Sequence, residues 1–179
     1  MYYNSLEMSD YLAGSAVIIS IFTFLISFNQ NKKGLKVQIQ TDKLEELLQL
    51  IIELSRYYVI FKSLYLKVNV LRDQSNVELS TISEYKKIRD TKLPIDKQLQ
   101  IDKILSRIEV LYLSYTEKHL KNKIESYYKM MEIFYVYILN TGDLRKERHY
   151  KNGFPDFDEI DLLLNEIIEL LTNEIKVYT

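Results

Sequence analysis

The sequence YLAGSAVIISIFTFLISF fills residues 11–28 and contains no charged residue. At about 1.5 Å per residue, a helix of eighteen residues covers roughly 27 Å, close to the thickness of the hydrocarbon core of a bilayer. The alternatives are a secretory signal peptide and a buried core helix. A signal peptide begins with positive charge, whereas the ten residues before this stretch carry Glu7 and Asp10 and no Lys or Arg. A core helix would show a polar stripe, and this stretch has only small and hydroxyl residues, so it predicts a transmembrane helix.

The charges on either side of this stretch predict its orientation. Lys32, Lys33 and Lys36 follow it, whereas only acids precede it. Under the positive-inside rule, residues 1–10 would lie outside the bacterial inner membrane and residues 42–179 in the cytoplasm. Residues 29–41 read as a short polar connector into which the membrane helix could continue, and Thr41 and Asp42 are expected to start a long helix that reaches about Arg72. The prediction is therefore a single-pass membrane protein with one cytosolic domain.

Small and hydroxyl side chains recur inside the stretch at steps of three and four residues, which places them on one face of a helix. Such residues let membrane helices approach closely and form hydrogen bonds across the contact. Three interpretations stay open: a packing seam in a dimer, a pattern that follows from composition alone, or the lining of a pore within a homo-oligomeric ring. The candidate residues are Ala13, Ala16, Ser20, Thr23 and Ser27.

The rest of the chain has the pattern of helices. Four glycines and two prolines in 179 residues leave room for long, uninterrupted helices, and apolar residues recur at helical spacing from Leu44 onward. Two blocks at residues 101–115 and 124–138 each keep this spacing but are out of register with one another, which predicts a bend or turn within residues 116–123. The predicted fold class is all-α: a four- to five-helix bundle over residues 42–179, with a last helix beginning at Asp156.

Composition excludes several kinds of site. There is no cysteine, so neither a disulfide nor a thiolate nucleophile is available, and the two histidines have no clustered ligands that would predict a metal site. No motif predicts a cofactor, and a net charge of −1 does not indicate a nucleic-acid-binding face. One pair merits attention, Arg145 and His149 in a charged loop. Arginine could stabilise a scissile phosphate and histidine could move a proton during RNA cleavage, or the pair could be incidental to a basic loop.

An all-helical domain with a late Arg and His pair resembles the HEPN class of RNA-processing and defence domains. With one N-terminal span, it is similar to the small Csx-type accessory proteins of type VI-B CRISPR systems. The resemblance implies a homo-oligomeric pore that permeabilises the inner membrane and so enhances antiphage defence by an RNA-guided RNase effector. It would make Arg145 and His149 the HEPN-like motif pair, although three residues separate them where the family usually has four to six, so no catalytic residue is assigned. The alternatives are a membrane-tethered HEPN-type RNase and a non-catalytic membrane-anchored adaptor.

Overall fold

The computed structural model describes residues 3–72, 79–140 and 157–178, with side chains described for residues 19–68, 70, 81–140 and 158–178. Within these residues the chain forms six helices and no strand, which confirms the predicted all-α fold class. The helices are α1 (Tyr3–Ser55), α2 (Tyr58–Arg72), α3 (Leu79–Lys92), α4 (Ile95–Tyr115), α5 (Lys118–Leu139) and α6 (Phe157–Tyr178).

The chain divides into two units at Thr41. The first unit is the part of α1 that precedes this residue. The second unit, residues 42–177, contains the last part of α1 together with α2 to α6.

The predicted membrane localisation needs correction. In the part of the chain that the structure describes, no helix is long and apolar enough to cross a membrane. Residues 11–18 of the predicted span have side chains outside the described residues. This finding contradicts a single-pass protein of the bacterial inner membrane with its N-terminus outside.

The predicted helix start at Thr41 and Asp42 is also wrong, because α1 continues through both residues. The Thr41 hydroxyl does not cap a new helix but donates a hydrogen bond to the carbonyl oxygen of Val37, one turn earlier, at 3.1 Å. The Gln and Lys residues of the expected connector are good helix formers, so nothing in residues 29–41 forces the helix to end. The break lies instead at residues 56–57, between α1 and α2.

The core of the second unit is built from aliphatic and aromatic side chains of α1, α2, α4, α5 and α6. Rings from different helices meet here: Tyr58 lies edge-on to Phe134 with centroids 5.9 Å apart, and Phe61 stacks on Tyr135 at 5.7 Å. Such contacts contribute about 0.5–1.5 kcal/mol each beyond the burial of their area. The stripe predicted for the second block is confirmed as core, since all five of its members are buried: Ile124, Tyr127, Met131, Phe134 and Ile138.

Helices α4 and α5 form an antiparallel pair with only residues 116–117 between them. The rings of Tyr112 and Tyr128 lie 5.9 Å apart near the join, and the Tyr135 hydroxyl donates to the carbonyl oxygen of Gln98 farther from it, at 3.1 Å. Both connecting residues have extended backbone angles. The turn predicted from the change of register is therefore confirmed, because reversing the chain lets both stripes face the same core.

Helix α3 is polar and contributes little to the core, but it makes hydrogen bonds to the end of α5. The buried Tyr85 hydroxyl donates to the carbonyl oxygen of Ile138 at 2.7 Å, and Arg89 donates to that of Leu139 at 2.8 Å. The last carbonyls of a helix have no partner within that helix. These two side chains thus supply hydrogen bonds that α5 cannot make itself.

Candidate interaction surface

The first unit carries a dense group of exposed apolar side chains on α1. Residues 19–28 contribute seven large apolar side chains, and each is more than half exposed. They are Ile19, Ile21, Phe22, Phe24, Leu25, Ile26 and Phe28. At 3.6 residues per turn, these seven positions spread over about 220° of the circumference of the helix. We call them the α1 apolar segment.

This surface is unusually large for one helix. Phe22, Phe24 and Phe28 are 62%, 67% and 57% exposed. At about 200 Å² for a whole aromatic side chain, these three alone leave roughly 370 Å² of apolar area uncovered. Larger contiguous patches on soluble proteins usually mark interaction sites, and a helix that is apolar over most of its circumference is normally buried. The α1 apolar segment is therefore the candidate interaction surface of the chain.

The remaining arc of the segment contains three of the predicted packing or pore-lining residues. Ser20, Thr23 and Ser27 lie within about 60° of one another and are all exposed. The Thr23 hydroxyl donates to the carbonyl oxygen of Ile19 at 2.8 Å. Its hydrogen is therefore used within its own helix and is not offered to a neighbouring one. The side chains of Ala13 and Ala16 lie outside the described residues.

The predicted RNA-cleaving pair, Arg145 and His149, also lies outside the described residues. The part of the chain that the structure describes contains no group of three His, Asp or Glu residues that could hold a metal ion. Among the described groups, Glu46 has the carboxyl pKa lowered furthest from its usual range. Hydrogen bonds from Arg107 (2.6 and 2.8 Å) and Lys43 (2.8 Å) lower that pKa to about 2. This cluster joins α1 to α4 and serves the fold.

Sequence reasoning missed a second kind of apolar surface, on α2 and α4. Exposed aliphatic side chains lie on these helices opposite the core side: Val59, Leu66 and Val70 on α2, and Ile95, Leu99, Val110 and Leu113 on α4. In the sequence they are not distinguished from the core residues of the same helices, because both sets recur at helical spacing. A separate helical projection of each helix would have shown them, because they fall about half a turn away from the buried stripe.

Comparisons with protein-family models, with curated proteins and with solved structures found no match to this chain. The resemblance to HEPN domains and to CRISPR accessory proteins therefore stays a prediction from the sequence.

Proposed function

We propose that this chain is a homo-oligomeric helical adaptor whose copies are held together by α1. One observation supports the proposal above all: residues 19–28 of α1 expose seven large apolar side chains around most of the helix. Burying such side chains contributes about 25 cal/mol for each Å² removed from water, so their association is strongly favoured.

The composition of the segment favours a second copy of this chain as the partner. Residues 19–28 contain no charged residue. Permanent homo-oligomer interfaces are more apolar than transient ones, whose composition resembles ordinary protein surface. Symmetry also repeats the same patch on each copy, so one apolar surface provides both sides of the contact.

The width of the segment sets a lower limit on the number of copies. A two-stranded coiled coil buries a narrow stripe of each helix. Side chains spread over about 220° need neighbours on two sides, which requires three or more helices. The predicted ring, with Ser20, Thr23 and Ser27 facing its axis, is one arrangement that meets this requirement.

The test is the mass of the purified full-length chain, measured by light scattering and corrected for any bound detergent. We expect a discrete oligomer of at least three copies for the wild type. Phe24→Glu places a charge in the α1 apolar segment and should reduce the mass to that of a single chain. Leu162→Glu is the matched control, because Leu162 is 72% exposed on α6 and Phe24 is 67% exposed on α1. It should leave the oligomer intact.

Three results would overturn the proposal. The wild type could be a monomer whose α1 is covered by detergent instead of by other copies. Phe24→Glu could keep the full mass, which would place the contact elsewhere. Leu162→Glu could dissociate the oligomer as well, which would show that any added charge has this effect.

A further inference from the structure

Helix α2 has apolar side chains on two opposite sides. Its core side includes Phe61 and Leu64, both completely buried. Val59, Leu66 and Val70 lie about half a turn away, with exposures of 67%, 55% and 62%. Their spacing of seven and four residues places them along one line on the helix. We call these three residues the α2 stripe.

Helix α4 has the same arrangement. Ile101, Ile104 and Ile108 face the core, and a second group of aliphatic side chains lies on the opposite side, each about half exposed or more. We call this group the α4 stripe: Ile95, Leu99, Val110 and Leu113. A helix at the surface of a bundle normally has polar residues opposite its core side. Two helices that depart from this pattern indicate surfaces that are covered in the assembled protein.

The α2 stripe extends over eleven residues and the α4 stripe over eighteen, so the middle part of the α4 stripe matches the whole α2 stripe in length. Leu99 and Val110 are eleven residues apart, as are Val59 and Val70, so each pair spans about 16 Å along its helix. The α2 stripe also borders a groove of about 330 Å³ between α2 and α3, whose lining includes Leu66, Val70 and Ile88. Helices pack by inserting the side chains of one into grooves of another, and the leucines of the α4 stripe have suitable size for this groove.

Each stripe has charges of both signs nearby, since Glu84 of α3 lines the groove beside the α2 stripe and Lys103 lies beside the α4 stripe, but lysines predominate on α2 and carboxylates on α4. Helix α2 carries Lys62 and Lys67 next to its stripe and has no acidic residue over its length. The α4 stripe is flanked on one edge by the exposed Asp102 and Glu109, while Asp96 and Lys103 lie near its other edge. Contact between the two different stripes brings lysines to carboxylates, whereas contact between two α2 stripes would oppose lysines to lysines. Complementary charge of this kind selects the correct partner surface.

We propose that the α2 stripe of one copy packs against the α4 stripe of the next copy. The contact uses two different surfaces, so a pair of copies keeps one free α4 stripe on the first and one free α2 stripe on the second, and a further copy can be added. Such a contact closes into a ring if its rotation returns to the starting copy, and otherwise extends as a filament. It lies entirely within residues 42–177 and does not depend on self-association through α1. The seven side chains cover less than the roughly 800 Å² per partner of a standard interface, so the contact is weak and is best detected by covalent trapping.

The absence of cysteine from the chain makes disulfide trapping specific. The full-length double variant Leu66→Cys/Leu99→Cys, oxidised mildly, should give a ladder of covalent multimers on a non-reducing denaturing gel. Neither single variant should form a covalent dimer, because like stripes do not meet. A mixture of the two single variants, in which no bond within one chain is possible, should give dimers and nothing larger. The control pair Leu66→Cys/Leu162→Cys places the second thiol on α6 at a site that is 72% exposed, and it should stay monomeric.

Each other result would overturn the proposal. Dimers from a single variant would show contact between like stripes. A ladder of equal strength from the control pair would show random collision. No ladder from the double variant, with the helical content of the wild type retained, would show that the stripes do not meet. The cross-link is read at residues 66 and 99 alone, so its outcome is separate from the mass measurement that tests α1.

Discussion

A buried tyrosine hydroxyl gives the sharpest test of the core. Tyr127 is completely buried, and its hydroxyl oxygen has no hydrogen-bond partner among the residues that the structure describes. Burial also raises the pKa of Tyr127, so the hydroxyl stays neutral over the range in which proteins are handled. Mutational data place the cost of burying such a group without a partner at about 1–3 kcal/mol. Removing only that oxygen, in Tyr127→Phe, should therefore stabilise the fold.

The expected size follows from two opposing contributions. The variant avoids the desolvation cost but leaves a void the size of one oxygen, so we expect a net gain of about 1 kcal/mol. For a domain of this length, such a gain raises Tm by about 2–4 °C. Tyr85→Phe is the matched control, because the Tyr85 hydroxyl donates to the carbonyl oxygen of Ile138 at 2.7 Å. It should lose about 1–2 kcal/mol, since the variant leaves a buried acceptor without its donor.

Both variants can be compared with the wild type by urea unfolding followed by circular dichroism. Protein concentration must be the same throughout, because association shifts apparent stability. We expect the urea concentration at the unfolding midpoint to rise for Tyr127→Phe and to fall for Tyr85→Phe. The slope of the free energy of unfolding against urea concentration should be unchanged in both variants. A loss in Tyr127→Phe as large as that in Tyr85→Phe would refute the reasoning, because it would show that the Tyr127 hydroxyl contributes a hydrogen bond.

Two further outcomes concern charge and packing. Hydrogen bonds from Arg107 and Lys43 lower the pKa of Glu46 from 4.5 to about 2. The ionised Glu46 therefore stabilises the folded state fully when the pH is above the pKa of the unfolded state, and this stabilisation is lost as the pH falls towards 2. Since the side chains of Glu46 and Arg107 are partly exposed, we expect this stabilisation to be about 1 kcal/mol. The free energy of unfolding of Glu46→Gln should therefore depend more weakly on pH between neutral pH and about pH 3. An identical pH dependence in that variant would show that other groups cause the loss of stability at low pH. Phe134→Ala should cost about 3–5 kcal/mol in the same urea assay, because Phe134 is 1% exposed and contacts Tyr58, and a loss below about 1 kcal/mol would contradict its place in the core.

The parts of the fold that depend on local periodicity could be predicted from the sequence. Ile124, Tyr127 and Phe134 recur at helical spacing and are buried, and the change of register before them correctly indicated a turn. The helix start at Thr41 was predicted wrongly because threonine can cap a helix or bond back within one, and only neighbouring structure decides between these. Periodicity also does not show which apolar residues stay exposed to solvent once the core has formed.

For the candidate interaction surface too, the spacing of residues predicted their positions on a helix but not their exposure or role. The spacing of Ser20, Thr23 and Ser27 directly predicted that they lie on one side of α1. Their role in lining a pore remains a prediction. The α2 and α4 stripes were missed because an apolar residue opposite a core stripe looks like ordinary variation until its exposure is known. Arg145 and His149 lie outside the described residues, so their predicted role was not tested.

The short connection between α4 and α5 has a consequence for the order of folding. The ring contact between Tyr112 and Tyr128 joins residues 16 apart in sequence, whereas Lys92 with Ser63, Tyr85 with Ile138 and Arg107 with Glu46 join residues 29, 53 and 61 apart. Contacts between residues that are close in sequence form faster, because less chain entropy is lost before they stabilise anything. We therefore expect α4 and α5 to pair first. The side chains of α5 then form the surface on which α2 and α3 pack together.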